Sequence, residues 1–216
     1  MVSFEGERFY YLKSKQEQRS DETKKLILDS ATTLFAKKGY DAVTIREIAK
    51  DAGCSHTAIY LYFKDKETLL YQLSLPSLQQ LQQKLQAISK MDSLSSESKL
   101  KEISLEYISF CLKNRNMYDI FFNAKSSRVD EKPELEINRL RIAIFELLKS
   151  TIQESLSISN EEQLLAFSRI FYYQLNGVLS TYSYQHEPLD VLMERLIPTF
   201  NLSIEVLLIG FQEKLK

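Results

Sequence analysis

Apolar residues recur three and four positions apart along most of the chain, the period of helices that bury one face. Ile27, Ala31, Leu34 and Phe35 form one such stripe and predict a helix over 21–38. Asp21 and Glu22 suit its positive end, Lys37 and Lys38 its negative end, and Gly39 stops it. A shorter amphipathic run follows, with Ile45, Ile48 and Ala49 on one face. Thr44 and Glu47 have the spacing of a capping box: the hydroxyl accepts from the amide of residue 47, and the carboxylate reaches back to the amide of 44. Gly53 sits where a tight turn must follow, because glycine allows positive φ. Ser55 is placed to cap a second short helix, in which Ala58, Ile59, Tyr62 and Phe63 can pack inward or sideways. That leaves His56, Thr57, Tyr60 and Leu61 outward. Asp65 caps a further helix with Lys66 in its first turn. Two helices of about two turns each, joined by a glycine turn, match a helix-turn-helix. In such motifs the N-terminal residues of the second helix meet base edges in the major groove.

The remaining pattern is also helical. A long helix over 65–90 carries Leu75, Leu78, Leu81, Leu85 and Ile88. Its Pro76 removes a hydrogen bond and clashes one turn back, which predicts a kink or break near 73–75. Residues 92–98 are a polar linker, followed by helices over 99–113 and 117–126. Pro133 opens the next helix, which reaches residue 157 on Leu135, Leu140, Ile144, Leu147, Leu148 and Ile152. The last two helices, 161–184 and 188–211, have apolar stripes broad enough for a core and a partner. The first carries Phe171, Leu175 and Leu179; the second carries Phe200, Ile204, Leu207 and Phe211, and Pro198 predicts a bend. The expected fold is all-α, with about nine helices: an arm over 1–20, a three-helix DNA-binding domain over 21–66 and a helical domain over 67–216.

Composition narrows the function. The 216 residues are 44% hydrophobic, with only 5 Gly and 4 Pro, enough for a sizeable helical core. No run approaches the roughly 18 apolar residues of a membrane span, and no signal-peptide core is evident, so the expected location is the cytoplasm. Cys54 and Cys111 form no CxxC and have no histidine nearby, which argues against zinc or a disulfide framework. Both read as buried thiols; only Cys54, in the turn of the motif, is placed to act as a redox switch. Net charge is −1, and residues 1–70 hold 12 Lys/Arg against 11 Asp/Glu. A near-neutral DNA-binding domain must rely on a few well-placed cations at phosphates and should bind non-specific DNA weakly. The arm offers Lys13, Lys15 and Arg19 for phosphates or the minor groove, beside the aromatic cluster Phe9-Tyr10-Tyr11.

From residue 24 to 70 the chain reads KKLILDSATTLFAKKGYDAVTIREIAKDAGCSHTAIYLYFKDKETLL. The LFAKKGYDAVTI passage, the IA-DAG turn, the I-Y-YF recognition helix and the K-K-LL entry to the next helix resemble the tetracycline-repressor (TetR) family of bacterial transcriptional regulators. The resemblance covers about a fifth of the chain. It implies that Tyr60 contacts a phosphate, that Lys66 does so from the start of the fourth helix, and that Thr44 and Arg46 sit where backbone or groove contacts are made. The residues themselves place Ser55, His56 and Thr57 at the reading turn: His56 can donate to or accept from a base edge, and Thr57 can hydrogen-bond or lay its methyl on thymine. Tyr62 completes the candidate DNA-binding set, and Thr44 is equally explained as a cap.

The family resemblance also implies an effector pocket in the helical domain and dimerisation through the last two helices. Tyr107, Phe110, Phe121, Phe122, Phe145 and Phe171 are the candidate apolar wall, with Arg141 and Asn176 as polar anchors; Phe167 and Tyr172 lie among the same helices. Any one of these aromatics is also explained as ordinary core. No catalytic, metal or cofactor motif accompanies the two histidines, His56 and His186. The expected function is a homodimeric, sequence-specific DNA-binding regulator: a repressor released from a near-palindromic double-stranded operator by a small, largely hydrophobic effector. The alternative is a DNA-bound scaffold that recruits a protein and senses no small molecule.

Overall fold

A computed structural model describes residues 14–114, 136–182 and 187–216, and among them the only regular structure is helix. The helices are α1 (Lys15–Lys38), α2 (Ile45–Asp51), α3 (His56–Ile59), α4 (Lys66–Ser89), α5 (Ser96–Lys113), α6 (Glu136–Leu156), α7 (Glu161–Tyr182) and α8 (Leu189–Leu215). The helix expected over 117–126, together with Phe121, Phe122, Pro133 and His186, lies outside the described residues. The chain divides into two compact units, 1–69 and 70–216.

In the first unit, the head, α1 packs on α2 and α2 on α3. Ile27, Ala31, Phe35, Val43, Ile48, Ile59 and Phe63 are its buried centre. The expected start of α1 at residue 21 is corrected. Ser14 accepts from the Glu17 amide at 3.2 Å and Glu17 returns a bond to the Ser14 amide at 2.7 Å, so a capping box opens the helix at Lys15. Residues 15–20 are therefore helical, and Lys15 and Arg19 lie exposed on the first turns of α1. Gly39 ends α1 with φ +80° and its amide donates to Phe35 O.

In the second unit, the body, α5 packs against α6, α7 and α8, and α6 against α7 and α8. Phe171, Leu175, Leu179, Leu192 and Ile204 are fully buried, and the rings of Phe167 and Phe211 stack at 4.3 Å between α7 and α8. Three expectations change here. Pro76 does not break α4, which runs on continuously, and α8 likewise continues through Pro198. Both prolines are exposed, and the carbonyls that lose their partners belong to the exposed residues Gln72 and Glu194, where water can replace the bond. The polar linker is shorter than 92–98, because Ser95 accepts from the Ser98 amide at 3.2 Å and starts α5 at Ser96. In α8 it is Leu208, not Leu207, that is buried.

Candidate nucleic-acid interface

The helix-turn-helix is closed by short-range bonds. Thr44 Oγ1 accepts from the Glu47 amide at 3.3 Å, and Glu47 Oε2 accepts from the Thr44 amide at 2.9 Å. Thr44 also donates its hydroxyl to the same carboxylate at 2.9 Å. Lys38, at the end of α1, donates to the other Glu47 oxygen at 2.8 Å. That bond, with those from Thr44, holds the Glu47 carboxyl down at about 2. Gly53 takes φ +69° in the turn, where a side chain would be strained, and the Cys54 amide closes the turn onto Ala49 O at 3.0 Å. Cys54 itself is half-buried.

Ser55 then caps α3, accepting from the Ala58 amide at 3.1 Å and pairing with Thr57 Oγ1 at 3.0 Å. The second helix is shorter than two turns: α3 spans four residues, and the chain continues through tighter i→i+3 bonds, Leu61 to Ala58 O and Tyr62 to Ile59 O. Ile59 anchors it in the core. His56, Thr57 and Tyr60 are exposed on its outer side, with the His56 and Tyr60 rings edge-to-face at 5.7 Å. Leu61 is 83% exposed, a large apolar side chain just after α3. Arg46 is exposed on α2. Exposed hydrogen-bonding side chains on a turn fixed by its own caps suit base edges and phosphates.

Two candidates sit differently from the rest. Tyr62 is half-buried and its hydroxyl meets Ser20 of α1 at 3.4 Å, a packing position. Lys66 donates from Nζ to Tyr40 O and to Val43 O, each at 2.9 Å, and lies 4.1 Å from the centre of the Tyr40 ring. Sequence reasoning missed this role, since backbone acceptors more than twenty residues away leave no side-chain signature.

In the body, Leu78 and Leu81 of α4, Tyr107 and Cys111 of α5, Arg141 and Ile144 of α6 and Tyr172 of α7 line a cavity of about 20 Å³. That is room for about one water molecule and is far below the volume of a ligand pocket. Of the expected pocket residues, Tyr107 and Arg141 line it. Phe145 and Phe171 are core instead, at 2% and 0% exposure, and Phe110 is not in the wall. Phe145 meets the Tyr172 ring edge-on at 5.7 Å. Asn176 hydrogen-bonds Tyr172 beside the cavity. Burial pushes the Tyr172 hydroxyl and the Cys111 thiol up and the Arg141 guanidinium down, and Arg141 donates to Asn138 Oδ1 at 2.9 Å. Cys111 was readable as a neighbour of Tyr107, four residues on along one helix face. Among the described residues no cluster of His, Cys, Asp and Glu could hold a metal, and no helix is long and apolar enough to cross a membrane.

The profile of the tetR family of bacterial regulatory proteins matches residues 27–73, the span of the closed motif and the start of α4. The transcriptional regulator AcrR of Shigella flexneri is 39% identical over 84 residues, 38% of this chain and 39% of that protein. The fatty acid metabolism regulator protein of Bacillus subtilis is 30% identical over 91 residues, 42% of this chain and 46% of that protein. The matches thus span less than half the length of these curated relatives. The fold likeness extends further. The regulator FadR of Bacillus subtilis, solved with stearoyl-CoA, superposes with a TM-score of 0.58 at 21% identity, covering 81% of this chain and 95% of that one. PfmR of Thermus thermophilus gives 0.59 at 20% identity, covering 82% and 96%. Residues 27–73 thus carry the capped helix-turn-helix of the tetR family of bacterial regulatory proteins, and the chain as a whole has the all-helical fold of these solved regulators.

Proposed function

We propose that the chain is a homodimeric DNA-binding regulator of transcription, a repressor that leaves a near-palindromic operator when a small, largely hydrophobic effector binds its body. One observation carries the DNA-reading part: the first turn of α3 is locked by Ser55 and leaves His56, Thr57 and Tyr60 exposed. In this reading His56 and Thr57 meet base edges, while Ser55, Tyr60, Arg46 and Thr44 lie against the backbone. Dimerisation is supported by apolar residues that the lone chain leaves in water: Ile170 and Tyr173 on α7, and Leu202, Val206 and Ile209 on α8. The last three fall four and three residues apart, one stripe of a helix. Gln174 of α7 hydrogen-bonds Ser203 of α8 next to them. A second copy covering this stripe places two reading turns on successive major grooves, roughly 34 Å apart or a multiple of that.

The apolar cavity wall with Arg141 and two tyrosine hydroxyls suits an effector with a long apolar body and one polar end. FadR, a structural relative, was solved with such a molecule, stearoyl-CoA. At about 20 Å³ the cavity must widen to admit it, so the effector selects an opened body and shifts the population away from the DNA-binding form. The same small volume favours a second reading, a scaffold on DNA that recruits a protein and senses no small molecule. Retention of random duplexes on the purified protein, followed by sequencing, tests the common core of both. A two-fold symmetric enriched site is expected; no enrichment at low salt overturns it. Val206→Glu should leave a folded monomer that no longer retains that site.

A further inference from the structure

The resemblance to known regulators assigns Lys66 to a phosphate, but its surroundings assign it elsewhere. Lys66 opens α4, and Asp65 before it holds that turn by accepting from the Thr68 amide at 2.7 Å and the Thr68 hydroxyl at 2.8 Å. From this fixed turn the Lys66 ammonium spans the carbonyls of Tyr40 and Val43, both at 2.9 Å, and rests against the Tyr40 ring. An ammonium has three N–H donors, and the two carbonyls occupy two of them. The ring face attracts the remaining charge at well under 6 Å. Tyr40 is in turn seated on Phe35 of α1, ring centres 5.3 Å apart.

The two carbonyls bracket the turn between α1 and α2. It begins at Gly39, whose φ of +80° leaves the backbone free to turn, and ends at Thr44, the cap of α2. Within it the Val43 amide also donates to Tyr40 O at 3.2 Å. From the other side Lys38 and Thr44 meet on Glu47. The turn is therefore pinned twice, once by α1 and once by α4.

We propose that Lys66 is a positioning residue: it fastens the start of α4 to the turn that carries Thr44 and α2, and so fixes the helix-turn-helix for DNA, instead of neutralising a phosphate. Whatever displaces the start of α4 then displaces the turn with it. The inference rests on the DNA-reading proposal above, and the wild-type protein provides the control that separates the two.

The test compares wild type, Lys66→Met and Lys66→Arg on the duplex that wild type enriches and on an unrelated duplex, across a salt series. Wild type must first prefer its own duplex; if it does not, the DNA-reading proposal fails before the clamp is tested. For Lys66→Met the clamp predicts selectivity reduced roughly tenfold, on the scale of one mismatched base pair, with an unchanged salt slope. Lys66→Arg, which can still bridge two carbonyls, restores it. Weakening of both duplexes alike, with the slope lowered by about one, is the signature of a phosphate contact and overturns the clamp, as does binding equal to wild type. A role in stability alone lowers the melting temperature and leaves selectivity intact, which also overturns it. A measurement on the unsubstituted protein covers the case in which Lys66→Met does not fold. An ammonium held by two carbonyls is protected from solvent exchange, so one Nζ signal should persist in DNA-free wild type and vanish in Lys66→Arg; no such signal overturns the proposal.

Discussion

In the head, geometry is set by polar side chains closing onto backbone groups a few residues away; in the body it is set by apolar side chains meeting between helices far apart in sequence. Thr44, Glu47, Ser55 and Asp65 each make such a local closure, and the helices they start are as short as four residues. Helices that short are marginal alone and need caps to hold one geometry. The body helices run to 27 residues, and α6, α7 and α8 are joined by buried leucine, isoleucine and phenylalanine. Hydrogen bonds fix direction, which suits the base-reading surface proposed here. Apolar contacts are non-directional and allow repacking at similar volume, which suits the opening proposed for the body. The contrast also accounts for the comparisons, in which sequence likeness is confined largely to the head while fold likeness covers most of the chain.

Substitutions can break each side of this contrast in its own way. The largest effect is expected in the body: Phe171→Ala empties a fully buried site and should cost about 3–5 kcal/mol in denaturant unfolding. A cost below about 1 kcal/mol would mean the body is not held by close packing. In the head, Thr44→Val removes a cap and should cost about 1 kcal/mol, with a matching loss of affinity for the enriched duplex. Unchanged stability would take the capping box out of the account.

The smallest effect is a pH dependence. The Glu47 carboxyl stands at about 2 when folded, below the ordinary value of about 4.3 for an unfolded chain. A lowered carboxyl contributes stability that is fully present above the unfolded value and is lost as pH falls toward the folded one. Melting temperature measured between pH 5 and pH 2, a window that spans roughly those two values, should fall less steeply for Glu47→Gln than for wild type. Parallel curves would show that the Lys38–Glu47–Thr44 cluster adds nothing. The side chains are solvated, so the difference should be small and should shrink in salt.

What could be read in advance follows the same division. Thr44 with Glu47, Ser55, Gly39 and Gly53 act within three or four residues, so their roles were written in local spacing. The box at Ser14 and Glu17 was equally local and was passed over because the apolar stripe of α1 begins only at Ile27. Lys66 could not be read this way, since its partners are main-chain carbonyls that any residue supplies. In the body, periodicity located the helices but not which aromatics turn toward a cavity. Tyr107 and Arg141 do, whereas Phe145 and Phe171 fill the core, and that choice depends on how helices rotate against each other.

The central claim is that the capped first turn of α3 is what reads DNA. The most direct measurement is a base-by-base substitution scan of the enriched duplex, read against wild type and His56→Ala. The account predicts that His56→Ala remains dimeric and loses discrimination of about 1–3 kcal/mol at one base pair in each half-site, with the other positions unchanged. An identical base profile for the two proteins would contradict it and move the reading surface away from α3.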